Sequence, residues 1–333
     1  MEIDNNITVI STGGTISCRP TDRGLSPALS AEEMLDISGV DASNIDCVDL
    51  FSMDSSNVQP EEWLEIAAAI EEKAKGGKTQ GVVLIHGTDT MAYTAAMLSY
   101  LLLNINIPVV LTGAQLPIEA KGSDGTQNLT DAITAVRRLS PGVYICFGGS
   151  VMLGCRAVKT HTISRHAFES INRPYIARIE EGRFTLVSEP PKRNNTIEGL
   201  TMNLCPDVAL IKLIPGTSPM LLESVLKCNI KGLVVESFGL GGVHSIRRDH
   251  NEALIKLMEN GVTVVLTSQC LYEAASLNVY EVSRTLRDAG AISAADMTTE
   301  AAVTKLMWVL GQRNTPEEIR DLLLTNVCGD CES

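Results

Sequence analysis

Short, continuous apolar runs alternate along the chain with longer segments in which apolar residues recur at helical spacing. The runs are rich in Val, Ile and Leu, which is typical of strands buried on both faces of a parallel sheet. Seven such runs are ITVIST (7–12), GVVLIHG (81–87), PVVLTG (108–113), GVYICFGG (142–149), VALIKLI (208–214), GLVVESFG (232–239) and VTVVLTSQ (262–269). The segments of helical spacing contain good helix formers and include EEWLEIAAAIEEKA (61–74), TMAYTAAMLSYLLL (90–103), NLTDAITAVRRL (128–139), PMLLESVLK (219–227) and NEALIKLMENG (251–261). This alternation predicts an α/β fold with a mainly parallel sheet flanked by helices.

Residues 189–205, EPPKRNNTIEGLTMNLC, interrupt the alternation. The segment has two prolines, no clear period and little apolar content, which is typical of a connection between domains. A chain of 333 residues has room for two domains, since a domain averages about 150 residues. We therefore predict a larger N-terminal α/β domain over residues 1–188, a linker over 189–205 and a smaller C-terminal α/β domain over 206–333.

Composition and net charge indicate which partners are not expected and in which compartment the protein is expected. The net charge is −13, so nucleic acid and anionic membranes are not expected partners, because both are bound through clustered Lys and Arg. The first residues, MEIDNNITV, lack the basic and apolar regions of a signal peptide. The longest apolar run is too interrupted to span a bilayer. The nine scattered cysteines are therefore expected to be reduced thiols in the cytoplasm.

Polar residues are concentrated where the predicted strands end, which is the edge at which open parallel sheets bind ligands. The first strand is followed by Thr12-Gly13-Gly14-Thr15 and a later one by His86-Gly87-Thr88-Asp89-Thr90. Two further segments of this kind are LGCRAVK, which ends at Lys159, and MDSSN, which contains Asp54 and Ser55. We expect the chemistry of the protein to lie in these four segments.

The residue types alone leave the role of each segment open. The glycines of TGGT allow unusual backbone angles and close approach of a ligand, so Thr15 is either a nucleophile or part of a tight strand-exit turn. Asp89 either caps the helix that follows it or binds the ammonium group of an amino acid. Lys159 is a solvated cation or, if desolvated, a base. The five histidines do not cluster with cysteines at metal-ligand spacing, so no metal is expected, and His86 is expected to be structural.

Taken together, an ordered set of segments along nearly the whole chain resembles the bacterial-type L-asparaginase family, in its cytoplasmic type I branch. The segments are STGGTIS, MDSSNVQPEEW, HGTDTMAYTAAMLSY, VVLTGAQLPI, SDGTQNL, VMLGCRAVKTHT, AFESINRP, LIKLIPG, FGLGG, LTSQC and ADMTTEAAVTKLMWVLG. The resemblance implies hydrolysis of L-asparagine to L-aspartate and ammonia through a threonine nucleophile and an acyl-enzyme, without a metal or an organic cofactor.

The family pattern also implies a role for each matching residue. Thr15 corresponds to the nucleophile. Thr88, Asp89 and Lys159 correspond to a second hydroxyl, its carboxylate partner and the lysine that completes the group. Two further residues, Asp54 and Ser55, together with Thr88 and Asp89, fall at the positions that bind substrate. Family members are homodimers or homotetramers whose active site is closed by a neighbouring subunit, and the same assembly is implied here.

Two other functions stay open at this point. One is the related amidohydrolase subunit of a tRNA-dependent amidotransferase, which shares TGGT and HGTDTM but has an additional domain ahead of TGGT. The other is an amino-acid-binding protein without catalysis. The presence of Thr15, Thr88, Asp89 and Lys159 together argues against the second alternative.

Two positions depart from the family pattern. The family has a tyrosine in the loop after TGGT that helps to activate the nucleophile, and the matching residue here is Leu25. Leucine has no hydroxyl and cannot handle a proton, so we hypothesise that Leu25 keeps the role of covering the site and loses the proton-handling role. The second position is Glu236, where some type I members have an arginine that binds regulatory asparagine.

Overall fold

A computed structural model describes residues 6–77 and 79–332. The chain divides into two compact units, Met1–Asn195 and Thr196–Ser333. Residues 1–5, part of the segment that argues against a signal peptide, lie outside the described residues. In the described part of the chain, no helix is long and apolar enough to cross a membrane.

The first unit is built on an eight-stranded sheet in the order β12-β11-β8-β7-β6-β5-β1-β4. Five neighbouring strands are parallel to one another and three antiparallel strands extend one edge. The parallel strands are β1 Ile7–Gly13, β4 Ile45–Met53, β5 Val82–Ile85, β6 Pro108–Thr112 and β7 Gly142–Phe147. The antiparallel strands are β8 Ser150–Leu153, β11 Ala177–Glu180 and β12 Arg183–Leu186.

The strand order reverses next to β1. The chain passes from β1 to β4 on one side and then to β5 on the other side, from which it continues outward to β6 and β7. In open α/β sheets, ligands bind at the carboxyl ends of the strands where this reversal occurs. The ends of β1, β4 and β5 therefore form the expected position of a site.

The described residues of this unit form four α-helices: α1 Ala31–Ser38, α2 Pro60–Lys75, α3 Met91–Leu101 and α4 Gly125–Val136. Helix α1 starts at a capping box, in which Ser30 accepts from the Glu33 N–H and Glu33 accepts from the Ser30 N–H. Helix α3 is buried on nearly all sides, which agrees with its apolar sequence.

Two short hairpins follow the strands that lead to the site. One consists of β2 Cys18–Thr21 and β3 Gly24–Pro27, and the other of β9 Ala157–Lys159 and β10 Phe168–Ser170.

The described residues of the second unit form a four-stranded parallel sheet, in the order β13-β14-β15-β16, and five α-helices. Its strands are β13 Val208–Lys212, β14 Gly232–Ser237, β15 Thr263–Ser268 and β16 Ile292–Ser293. Its helices are α5 Pro219–Glu223, α6 His250–Glu259, α7 Glu281–Asp288, α8 Thr299–Gln312 and α9 Pro316–Leu324.

A buried ion pair joins helix α8 to the final turn of the second unit. The Lys305 Nζ and Asp330 Oδ2 atoms lie 2.5 Å apart and both side chains are fully buried. Asp330 also accepts hydrogen bonds from the N–H groups of Val327 and Cys328. This pairing satisfies charges that would be costly to bury alone.

Glu236 is engaged within the second unit. Its carboxylate accepts from the Thr299 hydroxyl at 2.8 Å and lies 3.4 Å from the Lys212 Nζ. The acidic side chain at this position therefore has partners of its own from β13 and α8.

The predicted two-domain α/β fold with a mainly parallel larger sheet is confirmed, and all seven predicted strands are present. The sequence did not reveal β4 as a strand, because it lies at the edge of the sheet and most of its residues are half-buried or exposed. The helix predicted over residues 219–227 is α-helical only in Pro219–Glu223 and continues as a 3-10 helix over Ser224–Cys228.

Candidate active site

Thr15 lies directly beyond the end of β1. Gly13 and Gly14 have φ angles of +97° and +82°, which turn the chain out of the strand into a 3-10 helix over Thr15–Ser17. Thr12 is buried and donates its hydroxyl hydrogen bond to the Ile85 carbonyl at 2.8 Å. Thr15 is half-buried, and within residues 6–77 and 79–332 its hydroxyl has no hydrogen-bond partner. Of the two threonines, Thr15 has the available hydroxyl.

The glycines allow three strand-end loops to touch. An ideal Cβ on Gly13 would lie 2.6 Å from the Met53 nitrogen, and one on Gly14 would lie 2.5 Å from the Gly87 Cα. A Cβ on Gly87 would in turn lie 2.5 Å from the Ser55 Oγ. The close approach that the structure describes is therefore between the ends of β1, β4 and β5, and the close approach of a ligand to these glycines stays a prediction.

Thr88, Asp89 and Lys159 meet at one point. The Lys159 Nζ donates to the Thr88 Oγ1 at 2.8 Å and to the Asp89 Oδ1 at 2.6 Å. Lys159 reaches this position from β9, about 70 residues along the chain from its two partners. The Asp89 side chain is 64% exposed and that of Lys159 only 16%, so the pair has one open side, where the carboxylate faces solvent.

Asp54 and Ser55 occupy the adjacent loop after β4. The Asp54 carboxylate caps the 3-10 helix Ser55–Asn57, accepting from the Ser56 N–H at 2.9 Å and the Ser56 hydroxyl at 2.8 Å. Asp54 is exposed, whereas Ser55 is buried. The Thr90 hydroxyl donates to the Ser55 carbonyl at 2.7 Å, which ties this loop to the segment after β5.

Asp54 lies near the TGGT turn, because its charge affects the pKa of Cys18 just after the turn. Burial raises the pKa of the Cys18 thiol, and the negative charge of Asp54 raises it further. The thiol donates to the Gly14 carbonyl at 3.4 Å. Cys18 is therefore a buried, protonated packing residue beside the site rather than a reactive thiolate.

We expected His86 to be structural, but the sequence did not predict the hydrogen-bond partners of its ring. Its ring is fully buried, with Nδ1 2.7 Å from the Gly87 carbonyl oxygen and Nε2 3.0 Å from the Thr94 Oγ1. The Trp63 Nε1 donates to the same Thr94 oxygen at 2.9 Å. Burial lowers the pKa of His86 to about 4, so the ring is neutral at neutral pH. Its position directly before Gly-Thr-Asp at a strand end was the available signal.

The sequence also did not single out Asp124 as a residue near the site. Its buried carboxylate accepts from the N–H groups of Gln115 and Leu116, at distances of 3.0–3.1 Å, and from the Asn128 side chain at 3.1 Å. The Gln115 side chain donates to the Ser164 carbonyl at 3.1 Å. Asp124 therefore fixes the loop after β6, which is the next strand outward from the site.

The hairpin β2–β3 places Leu25 next to Pro20 across the strand pair. Arg19 anchors this hairpin through Nε and Nη2, which donate to the two Glu119 carboxylate oxygens at 3.0 and 2.7 Å. Leu25 is 56% exposed, and the hypothesis that it covers the site stays a prediction.

The geometry combines an unbonded hydroxyl, a lysine held between a hydroxyl and a carboxylate, and two exposed carboxylates. Such a set suits nucleophilic attack by Thr15 on a small molecule that carries a positive charge. In the described part of the chain, no three His, Cys, Asp or Glu residues are grouped so that they could hold a metal ion.

Comparison with known proteins gives matches over nearly the whole chain. The family described as "Asparaginase, N-terminal" matches residues 6–192, and "Glutaminase/Asparaginase C-terminal domain" matches residues 207–323. An L-asparaginase of Thermococcus kodakarensis is 40% identical over 325 residues, which cover 97% of this chain and 98% of that protein. A subunit of the glutamyl-tRNA(Gln) amidotransferase of Methanosphaera stadtmanae is 34% identical over 342 residues, covering 98% of this chain and 77% of that protein.

Solved structures give the same result. The thermostable L-asparaginase from Thermococcus kodakarensis superposes with a TM-score of 0.92 at 39% identity, covering 98% of this chain and 99% of that one. A probable cytoplasmic L-asparaginase from Campylobacter jejuni superposes with a TM-score of 0.80 at 26% identity, covering 97% of this chain and all of that one.

The contact between strand ends predicts a large penalty for Gly14→Ala. Gly39 is a control for positive φ without a clash, since its φ is +69° and no atom lies within 4 Å of an added Cβ; its ψ of 17° is in the left-handed helical region, whereas that of Gly14 is 175°, which adds backbone strain to the clash at Gly14. We expect Gly39→Ala to lower the free energy of unfolding by about 1–2 kcal/mol, from the backbone conformation alone. Gly14→Ala should lower it more, because the Cβ also clashes with Gly87. Thermal and urea unfolding measure both, and equal losses in the two variants would contradict the packing described here.

Proposed function

Since the chain belongs to the asparaginase family and is an amidohydrolase, we propose that it hydrolyses the side-chain amide of L-asparagine to L-aspartate and ammonia with Thr15 as the nucleophile. The main support is the group formed by Thr88, Asp89 and Lys159, whose loop contacts the Thr15 turn through Gly87 and Gly14. The relatives named L-asparaginase support the substrate.

Substrate binding in this proposal depends on the exposed carboxylates. Asp89 uses Oδ1 to accept from Lys159, and its exposed side chain is available to pair with the α-ammonium group of an amino acid. Asp54 uses Oδ1 for its own loop, and together with Ser55 it forms the second part of the substrate site. A ligand that covers the open side of these carboxylates but lacks the α-ammonium group would remove them from water without supplying a counter-charge, which gives selectivity for a free amino acid.

In the first step, the Thr15 oxygen attacks the side-chain carbonyl carbon of L-asparagine. A C–O bond forms and the carbonyl electron pair moves to oxygen. When the carbonyl re-forms, the C–N bond breaks, and the proton of the Thr15 hydroxyl leaves with the amide nitrogen as ammonia. The product is an aspartyl ester on Thr15.

In the second step, water attacks the ester carbonyl and displaces the Thr15 oxygen. One proton of the water returns to Thr15 and the remaining hydroxyl becomes part of the L-aspartate side chain. The two steps together consume one water and release one ammonia and one L-aspartate.

In this scheme Lys159 supplies a positive charge and Thr88 supplies a hydrogen-bond donor. Because Lys159 donates to the Thr88 oxygen, the Thr88 hydroxyl proton is free to be donated toward the reacting group. A positively charged donor beside the developing negative charge also stabilises the transition state. No cofactor is part of the proposal.

We further propose that the protein is cytoplasmic and assembles as a homodimer or homotetramer. Support comes from the relative named as a probable cytoplasmic L-asparaginase and from the absence of disulfides among the described cysteines. The assembly rests on the family pattern alone.

A second candidate function is the amidohydrolase subunit of a tRNA-dependent amidotransferase. It is favoured by the relatives of 33–37% identity that are named as glutamyl-tRNA(Gln) amidotransferase subunits. The net charge of −13 gives no support for contact with tRNA. The two functions differ in whether ammonia is released from a free amino acid by the chain alone.

Thr15→Ala tests the nucleophile, and Thr12→Ala is its matched control in the same turn. We expect Thr15→Ala to lower kcat for L-asparagine at least about a thousandfold, as removal of a nucleophile does, with the thermal unfolding midpoint unchanged. Thr12→Ala should keep turnover and lose about 1 kcal/mol of stability, because it removes a buried hydrogen bond. Ammonia release from L-asparagine, L-glutamine and D-asparagine measures the activity.

Turnover of L-asparagine that survives in Thr15→Ala would contradict the proposed nucleophile. Binding of L-asparagine by the unmodified protein without ammonia release would contradict the proposed enzyme and favour a binding protein. Turnover that appears only with an added tRNA-charging partner would favour the second candidate.

Leu25→Tyr tests whether the missing hydroxyl limits the rate, with Leu25→Phe as the aromatic control that has no hydroxyl. We expect kcat to be at least about tenfold higher in Leu25→Tyr than in Leu25→Phe, since general acid–base catalysis contributes roughly 10²–10⁴-fold. Equal kcat values in the two variants would show that the hydroxyl is irrelevant at this position.

A further inference from the structure

A chain of hydrogen bonds runs from the protein core to the peptide that precedes Thr88. The Trp63 Nε1 donates to the Thr94 hydroxyl, that hydroxyl contacts the His86 Nε2, and the His86 Nδ1 contacts the Gly87 carbonyl. Trp63, Thr94 and His86 are all buried. The chain therefore ends on a backbone group at the centre of the candidate site.

The contacts determine which His86 nitrogen holds the proton. A carbonyl oxygen only accepts, so Nδ1 must donate to Gly87. In the neutral ring Nε2 is then an acceptor, and the Thr94 hydroxyl donates to it while accepting from the Trp63 indole. Each group in the chain has one role, and burial, which lowers the pKa of His86 to about 4, keeps the ring in this neutral form.

The His86 ring supplies a hydrogen bond to the Gly87 carbonyl oxygen. Helix α3 begins at Met91, and in the described part of the chain no backbone N–H donates to the Gly87 oxygen. A buried carbonyl without a donor would be costly, and a glycine has few steric limits on its orientation. The His86 Nδ1–H supplies the donor that holds this peptide in one orientation.

The orientation of the Gly87–Thr88 peptide affects every part of the site. Gly87 packs so closely that an ideal Cβ on Gly14 of the Thr15 turn would lie 2.5 Å from the Gly87 Cα, and one on Gly87 would lie 2.5 Å from the Ser55 Oγ. Rotation of the peptide would move the Thr88 N–H and shift the Thr88 hydroxyl that accepts from Lys159. A fixed peptide at this point therefore fixes the spacing between Thr15 and Thr88.

We propose that His86 is a positioning residue of the amide hydrolysis, whose Nδ1–H holds the Gly87–Thr88 peptide so that Thr88 and Thr15 keep their catalytic spacing. The proposal rests on the proposed function. It differs from a role in core packing, because it assigns the effect to one ring nitrogen and one hydrogen bond rather than to the volume of the side chain.

His86→Asn and His86→Gln separate the two roles. The Asn amide nitrogen is attached at the same position as Nδ1 and can donate to the Gly87 carbonyl. The Gln amide reaches instead toward the position of Nε2 and Thr94, and its volume is closer to that of histidine. A packing role favours Gln, whereas the positioning role favours Asn.

We expect kcat for L-asparagine to be at least about tenfold lower in His86→Gln than in His86→Asn, since small misplacements of catalytic groups cost up to about 10²-fold. KM should change less than kcat in both. Thermal unfolding should show the opposite order, with Asn the less stable variant because it leaves a cavity. A kcat in His86→Gln equal to or above that in His86→Asn would overturn the proposal.

Thr94→Val, with Thr94→Ser as its control, tests the same chain without changing His86. Valine removes the hydroxyl that donates to Nε2 and offers no acceptor for a proton there, so the proton stays on Nδ1 and the bond to Gly87 is kept. We expect lower stability in Thr94→Val, because Nε2 and the Trp63 indole lose their partner, with a kcat near that of Thr94→Ser. A kcat in Thr94→Val far below that in Thr94→Ser would show that packing around the ring, and not its bond to Gly87, limits the rate, and would overturn the proposal.

The experiment separates failure of this inference from failure of the proposed function. If the unmodified protein releases no ammonia from L-asparagine, the proposed function fails, and with it the assigned role of His86. If the unmodified protein is active and the variants rank by stability alone, only the inference fails. Nitrogen-15 spectra of the labelled imidazoles give an independent readout, since neutral His86 should keep its proton on Nδ1 from pH 7 to pH 9, above its pKa of about 4. A proton on Nε2 in this range would overturn the proposal.

Discussion

The site depends on direct contact between the backbones of three strand ends. Side chains at Gly13, Gly14 and Gly87 would each place a Cβ within 2.6 Å of a neighbouring atom, so only glycine permits the ends of β1, β4 and β5 to lie this close. Contact at the reversal of strand order brings together loops that are far apart in the sequence. Everything else at the site, including Thr15 on one loop and Thr88 on another, takes its position from this packing.

Buried polar groups then hold each loop in place. Thr12 joins β1 to β5, Thr90 joins the segment after β5 to the loop of Ser55, and Asp124 holds the loop after β6. In a low-dielectric interior such hydrogen bonds are strong only when every partner is satisfied. The groups proposed to react differ from this supporting set, because among the described residues the Thr15 hydroxyl has no hydrogen-bond partner and the Asp89 side chain is exposed on one side.

The sequence predicted the parts of the structure that repeat a simple pattern. Continuous apolar runs predicted the buried parallel strands, and the polar residues at their ends included Thr15, Thr88 and Asp89. The edge strand β4 was missed because its side chains are mostly half-buried or exposed, and such positions lack a clear hydrophobic period. The partners of His86 were also out of reach, since Trp63 and Thr94 lie on two helices and meet the ring only through tertiary packing. Likewise, nothing in the sequence spacing showed that the glycines serve contact between loops.

Trapping the covalent intermediate would test the central claim most directly. The protein is mixed with L-asparagine, quenched in acid within milliseconds, and analysed by intact mass and peptide mapping. We expect a species heavier by one aspartyl group, with the added mass on the peptide that contains Thr15 and absent from Thr15→Ala. Ammonia release with the added mass on another residue, or turnover in which no adduct forms at any quench time and hydroxylamine captures no aspartyl product, would contradict it.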